Sequence, residues 1–176
     1  MSLIVRDATL EDAEDILAIY NYAAINTTAV WTDGPADLDS RREWMRARQA
    51  AGYPVLVAMR GCDVVGFASF GDFRPWPGYR HTVENSVYVA PDAQGKGVGR
   101  VLLAAVVEAC TAKGYRLMVA IIGDSANFAS ITLHRRAGFR FCGTIHSVGH
   151  KFGRWLDSVV MELPLGDGDC TIPPER

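Results

Sequence analysis

Glu84 lies one strand and one turn upstream of the run Gln94-Gly95-Lys96-Gly97-Val98-Gly99-Arg100. A glycine-rich turn that opens a helix offers bare backbone N–H groups at the helix's positive end, which suits an anion such as a pyrophosphate. A carboxylate on the strand leading into such a turn suits a general base. Together they predict an enzyme that binds a phosphate-bearing compound and moves a proton beside it. The plain alternatives are a structural ion pair for Glu84 and a simple turn for the glycines.

The elements that must position these groups follow from periodicity. Val83, Asn85, Val87 and Val89 alternate with Thr82, Glu84, Ser86 and Tyr88, which predicts a strand with Glu84 on its polar face. Val98, Leu102, Val106, Ala109 and Cys110 mark the buried face of a helix that Gly114 closes. Residues 117–122 are a continuous apolar run, as expected for a strand buried on both faces. Strand, helix and buried strand make a crossover unit, so the two strands are expected to be parallel.

Upstream, a short strand is expected at 4–6, and a helix over about 10–22 behind a cap at Thr9. A second helix runs from a Ser40–Glu43 capping box to about Arg48, and strands at 55–59 and 64–70 form a hairpin. Residues 26–33 read as a loop carrying Trp31, and 71–80 as a loop rich in arginine and aromatics. That composition suits a small anionic or zwitterionic substrate, although a packed loop with solvated arginines explains it equally well. Downstream, Asn127 caps a helix that Gly138 stops, and strands are expected over 139–145 and 151–163. The fold class is therefore α/β, with one domain over 1–165 and a tail over 166–176.

Composition narrows the partners. With 176 residues and a net charge of −2, the chain lacks the electrostatic footprint of a nucleic-acid or anionic-membrane binder. The longest apolar runs, such as 101–107 and 117–122, are too short to span a bilayer, and the N-terminus lacks the features of a signal peptide. The expectation is a cytoplasmic protein. Cys62, Cys110, Cys142 and Cys170 form neither a zinc pattern nor a disulfide framework. His146 and His150 lie in strand or loop context, where their spacing does not converge on a metal.

Two nucleotide signatures fail on single residues. A Walker-type loop needs Ser or Thr after Gly-Lys, but Gly97 follows Lys96. A dinucleotide fingerprint needs a third glycine, but Arg100 or Leu102 stands there. What remains is Gln94-x-x-Gly97-x-Gly99 after a strand and opening a helix. That pattern, with Asn127 opening the next helix, resembles the acyl-CoA-binding motif of the GNAT N-acetyltransferases. Residues 73–80, 82–89 and 151–157, and Trp31 after 26–30, are similar to the phosphinothricin and methionine sulfoximine acetyltransferase branch. The likeness spans about Leu3 to Leu163, and Asn85 stands where many relatives have His.

The resemblance implies a mixed, mostly antiparallel sheet with a splayed central parallel strand pair, flanked by helices. It implies acetyl-CoA as co-substrate and no metal. The backbone of Val87, Tyr88 and Val89 would pair with the pantetheine arm, and the Val89 region's N–H would meet the oxyanion. Gln94, Gly95, Lys96, Gly97, Val98, Gly99 and Arg100 would hold the pyrophosphate, with Asn127 and Ser130 on the pantetheine. Glu84 would take the ammonium proton, and His134 would protonate the leaving thiolate or assist the base. A core or surface histidine is the alternative for His134. Arg74, Pro75, Trp76, Glu84, Asn85, Ser86 and Trp31 would border the acceptor, with Tyr79, Arg80 and Lys151 further out. The implied reaction moves acetyl directly, within a ternary complex, to the α-amine of a small amino-acid analogue of the phosphinothricin, methionine sulfoximine or sulfone type. Detoxification and a homodimer are implied with it. Acetylation of a protein N-terminus or an antibiotic amine remains open, as does a non-catalytic acyl-CoA sensor.

Overall fold

The alternating and helical periodicities resolve, in a computed structural model describing residues 2–32 and 34–173, into seven strands and four longer helices. Met1, Asp33 in the Trp31 loop and residues 174–176 of the tail lie outside the described residues. In chain order they are β1 (Leu3–Asp7), α1 (Ala13–Asn26), α2 (Leu38–Ala50), β2 (Val55–Arg60) and β3 (Asp63–Asp72). Then follow β4 (Thr82–Val89), α3 (Val98–Ala112), β5 (Leu117–Gly123), α4 (Phe128–Arg136), β6 (Arg140–Lys151) and β7 (Arg154–Pro164). Among the described residues the strands form one sheet in the order β1-β2-β3-β4-β5-β7-β6.

Side-chain alternation divides the core between the two faces of this sheet. On one face α3 buries Val98, Leu102, Leu103 and Val106 against Ala58, Ala68, Phe70, Val83 and Met118. On the other, Ile16 and Ile19 of α1 and Met45 of α2 cover Val55, Val57 and Phe67. Each fully buried Leu or Ile contributes about 1.5–3 kcal/mol by leaving water. The sheet is thus held from both sides.

Neighbouring strands are antiparallel except β4 and β5, which run parallel as the crossover predicts. Their register holds only for Thr82↔Leu117, Val83↔Met118 and Glu84↔Val119. Beyond Glu84 the strands part. β4 keeps its pairing with β3 up to Val89, and β5 keeps its pairing with β7 up to Gly123. The splay is therefore a gap inside a sheet whose outer pairings stay intact.

Several boundaries differ from expectation. The first helix opens with a 3-10 turn at Leu10–Asp12 and continues to Asn26, because Ala23 and Ala24 bury against Val30 and Tyr88. The second is capped by Asp37 rather than Ser40: Asp37 Oδ1 accepts from the Ser40 N–H at 2.7 Å. β6 runs on to Lys151, and the hairpin turns at Phe152-Gly153, so a strand beginning at 151 is corrected. Both turn residues have positive φ, 52° and 71°, which matches the right-handed twist of the strands they join. An irregularity between Ile145 and Gly149, with Ser147 at φ 51°, breaks the alternation that would have marked β6 as one strand. Leu165, the last residue of the expected domain, is buried, and its N–H donates to the Arg116 carbonyl. Among the described residues, no helix is long and apolar enough to cross a membrane.

Candidate active site

The parting of β4 and β5 leaves a backbone edge without a strand. The Thr82 carbonyl accepts from Phe73, and the Ala90 N–H donates to Val65, so both point toward β3. Backbone direction alternates along a strand, which turns the N–H and C=O of Asn85, Val87 and Val89 toward the gap. A cavity of about 330 Å³ fills it. Its walls are 84–88 of β4, 120–123 of β5, 29–31 of the loop after α1, and Asn127, Ser130, His134 and Ser158.

The glycine turn lies beyond the end of β4. Gly95 and Gly97 have φ of 70° and 85°, and Gly97 is the left-handed residue that starts α3. A side chain there would be strained, and the first-turn N–H groups of α3 have no partner within the helix. Gln94 donates to the Val89 carbonyl at 3.4 Å, and the Lys96 ammonium donates to the Asp92 carbonyl at 2.7 Å. Gly95, Lys96, Gly97 and Arg100 are exposed, whereas Val98 anchors the helix in the core. An extended ligand with amides along its length and phosphates at one end fits this edge and turn.

Across the gap, Asn127 caps α4, its Oδ1 accepting from the Ser130 N–H at 3.2 Å. Its NH2 group is left to donate elsewhere. Asp124 sets up this cap. It has φ of 76°, accepts from the Ala126 N–H at 3.0 Å, and takes the Arg154 guanidinium at 2.5 Å. The sequence reading missed Arg154, whose role depends on the β7 register.

Glu84 is half-buried at the point where the strands divide. Burial pushes its carboxyl pKa up, and the positive charges of Arg74 and Arg48 pull in the other direction. Arg48 was missed because a lone helical arginine reads as a solvated charge. It reaches the site over the face of Gly71, the residue paired with Glu84 on β3. The Arg48 guanidinium occupies the space a Cβ at Gly71 would take, and Nη1 donates to the Phe70 carbonyl at 3.1 Å.

His134 is 4% exposed. Its Nδ1 stands 2.9 Å from the Ser130 carbonyl, and Nε2 stands 3.1 Å from Asn85 Oδ1. A carbonyl only accepts, so Nδ1 carries a proton. Burial pushes the ring's pKa down. The neutral ring then presents an Nε2 lone pair to Asn85 Oδ1, because the Asn85 amide NH2 donates to the Val119 carbonyl at 3.4 Å. The protonated ring instead donates to Oδ1.

The structure brings Glu84, Asn85, Ser86, Val87, Tyr88, Asn127, Ser130, His134 and Trp31 around one cavity. It does not bring Arg74, Pro75 and Trp76 into those walls. They are exposed, Trp76 by 64%, and Arg74 lies 4.1 Å from the Phe73 ring centroid while donating to the Phe73 carbonyl. Lys151 is not among the walls either, its ammonium being held by three backbone carbonyls.

The sequence pattern of the Acetyltransferase (GNAT) family matches residues 16–139. The chain belongs to that family. It is a GNAT enzyme, an acetyl-CoA-dependent N-acetyltransferase. It is 52% identical over 166 residues to the L-methionine sulfoximine/L-methionine sulfone acetyltransferase of Pseudomonas aeruginosa, covering 94% of this chain and 96% of that one. It is 45% identical over 174 residues to the phosphinothricin N-acetyltransferase of Alcaligenes faecalis, covering 97% and 85% respectively. A GNAT phosphinothricin acetyltransferase from Sinorhizobium meliloti, solved with AcCoA, superposes with a TM-score of 0.96 at 39% identity. That alignment covers 99% of this chain and 95% of the other.

Proposed function

We propose that this GNAT enzyme acetylates the α-amine of a small amino-acid analogue of the methionine sulfoximine, methionine sulfone or phosphinothricin type. The observation that carries the reading is the parting of β4 and β5 at Glu84. It puts a burial-shifted carboxylate where the free edge of β4 begins. The edge at Val87 and Val89 suits the pantetheine amides, and the turn from Gln94 to Arg100 suits the pyrophosphate, with Lys96 and Arg100 adding charge. Asn127 and Ser130 complete the arm's contacts from α4.

Glu84 takes the proton from the bound ammonium and so frees the lone pair that attacks. The Val89 N–H faces the charge that develops on the acetyl oxygen, where a fixed donor contributes most. His134 in its protonated form is the acid for the leaving thiolate, with Asn85 Oδ1 accepting from its Nε2–H. Trp31, Ser86 and Asn85 wall the acceptor. Arg74, whose charge acts on Glu84, meets the acceptor's carboxylate from the exposed loop it shares with Pro75 and Trp76.

The same reading takes the enzyme as a cytoplasmic detoxifying homodimer, one domain over 1–165 with a tail over 166–176. Phe141, Ile145, Val148 and Trp155, each at least 49% exposed on the last two strands at the sheet edge, suit a face for a second copy. Steady-state CoA release with methionine sulfoximine, methionine sulfone and phosphinothricin tests the assignment. Turnover of at least one at micromolar to millimolar KM is expected. Acetyl-CoA binding without turnover of any small amino acid overturns it in favour of a sensor.

A further inference from the structure

Trp31 forms one wall of the cavity, yet it belongs to no helix or strand. Its position is set by distant parts of the chain. The Lys151 ammonium, at the end of β6, donates to the carbonyls of Ala24 at 2.5 Å, Thr27 at 2.7 Å and Val30 at 2.6 Å. An ammonium has three donor hydrogens, and three acceptors meet it. Ala24 lies in the last turn of α1, where carbonyls lack helical partners and the helix end is negative. Thr27 and Val30 bracket the bend that follows, and Val30 is the residue before Trp31. One side chain thus closes the helix and shapes the bend that delivers the indole.

The indole itself rests on bare backbone. A Cβ at Gly149 of β6 would overlap the ring atoms Cζ3 and Cε3 of Trp31. A Cβ at Gly123, the last residue of β5, would collide with the Thr28 carbonyl and stand 2.9 Å from indole Nε1. That nitrogen donates to the same Thr28 carbonyl at 2.7 Å. A cap for the end of α1 would require the lysine alone. It would not require two strands to leave a side-chain-free seat beneath an indole that lines the cavity.

We propose that Lys151, with Gly149 and Gly123 as the seat, positions Trp31 as the wall that sets which acceptor side chains the pocket takes. The inference rests on the reading that this cavity holds the amine acceptor. Lys151 is a positioning residue, since it acts only through Trp31.

The test measures kcat and KM separately for L-methionine sulfone and for acetyl-CoA, in the wild type, Lys151→Met and Gly149→Ala. Lys151→Met should raise the acceptor KM about tenfold and shift preference toward bulkier amino acids, with the acetyl-CoA KM within about twofold. Gly149→Ala, which keeps the ammonium bonds but lifts the indole, should do the same. It decides the matter if Lys151→Met does not fold. In a Trp31→Ala background, Gly149→Ala should have no further effect on the acceptor KM. An unchanged acceptor KM, an equal rise in both KM values, or full additivity with Trp31→Ala overturns the proposal. A wild type that turns over none of the acceptors removes the functional reading itself, and this inference with it.

Discussion

His134 Nε2 lies 3.1 Å from the Asn85 amide, so a ring from α4 meets the residue next to Glu84 inside the sheet gap. The Ser130 carbonyl holds the other nitrogen. The proton on the Nε2 side is therefore governed by what position 85 offers. Asn85→Asp replaces an amide with a carboxylate and should raise the ring's pKa above its depressed wild-type position, as read by NMR titration of the His134 ring. A titration unmoved by this change would rule out control from position 85.

The His134 shift has a stability consequence with a definite sign. Its folded pKa lies below the ordinary imidazole value of 6.5, so the unfolded chain takes up a proton before the native state does. The contribution is present above pH 6.5 and is lost as pH falls through the folded value. Relative to His134→Gln, the wild type should lose thermal stability on acidification across that window. Parallel melting curves for the two proteins would contradict it.

Glu84 has the opposite sign, because burial raises a carboxyl pKa. Its neutral form is the one the folded state favours, so wild-type stability falls as pH rises through the raised pKa. Glu84→Gln should melt at a higher temperature than the wild type near neutral pH and at the same temperature in acid. Its kcat/KM should drop by about 10²–10⁴-fold, the usual worth of a general base. Full activity in Glu84→Gln would remove the glutamate from the mechanism.

Arg48 lowers the Glu84 pKa from the same face of the sheet, its guanidinium lying over Gly71, the residue paired with Glu84. Arg48→Met should move the acid limb of the kcat/KM profile to higher pH while leaving the acetyl-CoA KM unchanged. Gly71→Ala displaces the same guanidinium and should shift the limb in the same direction. A profile that stays in place in both variants would show that Arg48 serves packing alone.

Gly97 starts α3 with φ of 85°. Gly97→Ala should cost about 1–2 kcal/mol of stability by left-handed strain. It should also raise the KM for acetyl-CoA with little change in the acceptor KM. Calorimetry and two-substrate kinetics read both, and a selective rise in acceptor KM would contradict the placement of the pyrophosphate.

Much of the frame was legible along the chain. The alternation from Thr82 to Val89 assigns Glu84 and Asn85 to opposite faces, and the spacing from Val98 to Cys110 marks the face of α3 that the core receives. The glycine turn, the Asn127 cap and the parallel crossover carry the same local character. Such features depend on backbone geometry with periods of 2 and 3.6 residues, so a single segment contains them whole. Where a bulge interrupts the period, as between Ile145 and Gly149, the reading of β6 stopped short.

Only the tertiary structure decided where β4 and β5 part, and that place is what makes Glu84 and the β4 edge a site. It alone brought Arg48 beside Glu84, joined Asn85 to His134, and turned Lys151 from an outlying candidate for the acceptor's border into the cap behind Trp31. Each of these links residues far apart in sequence, and each depends on a strand register or a missing side chain in a third segment. No periodicity within one segment encodes such a meeting. The residue types along the chain establish which chemistry is available, and the packing of distant segments decides which of those residues meet.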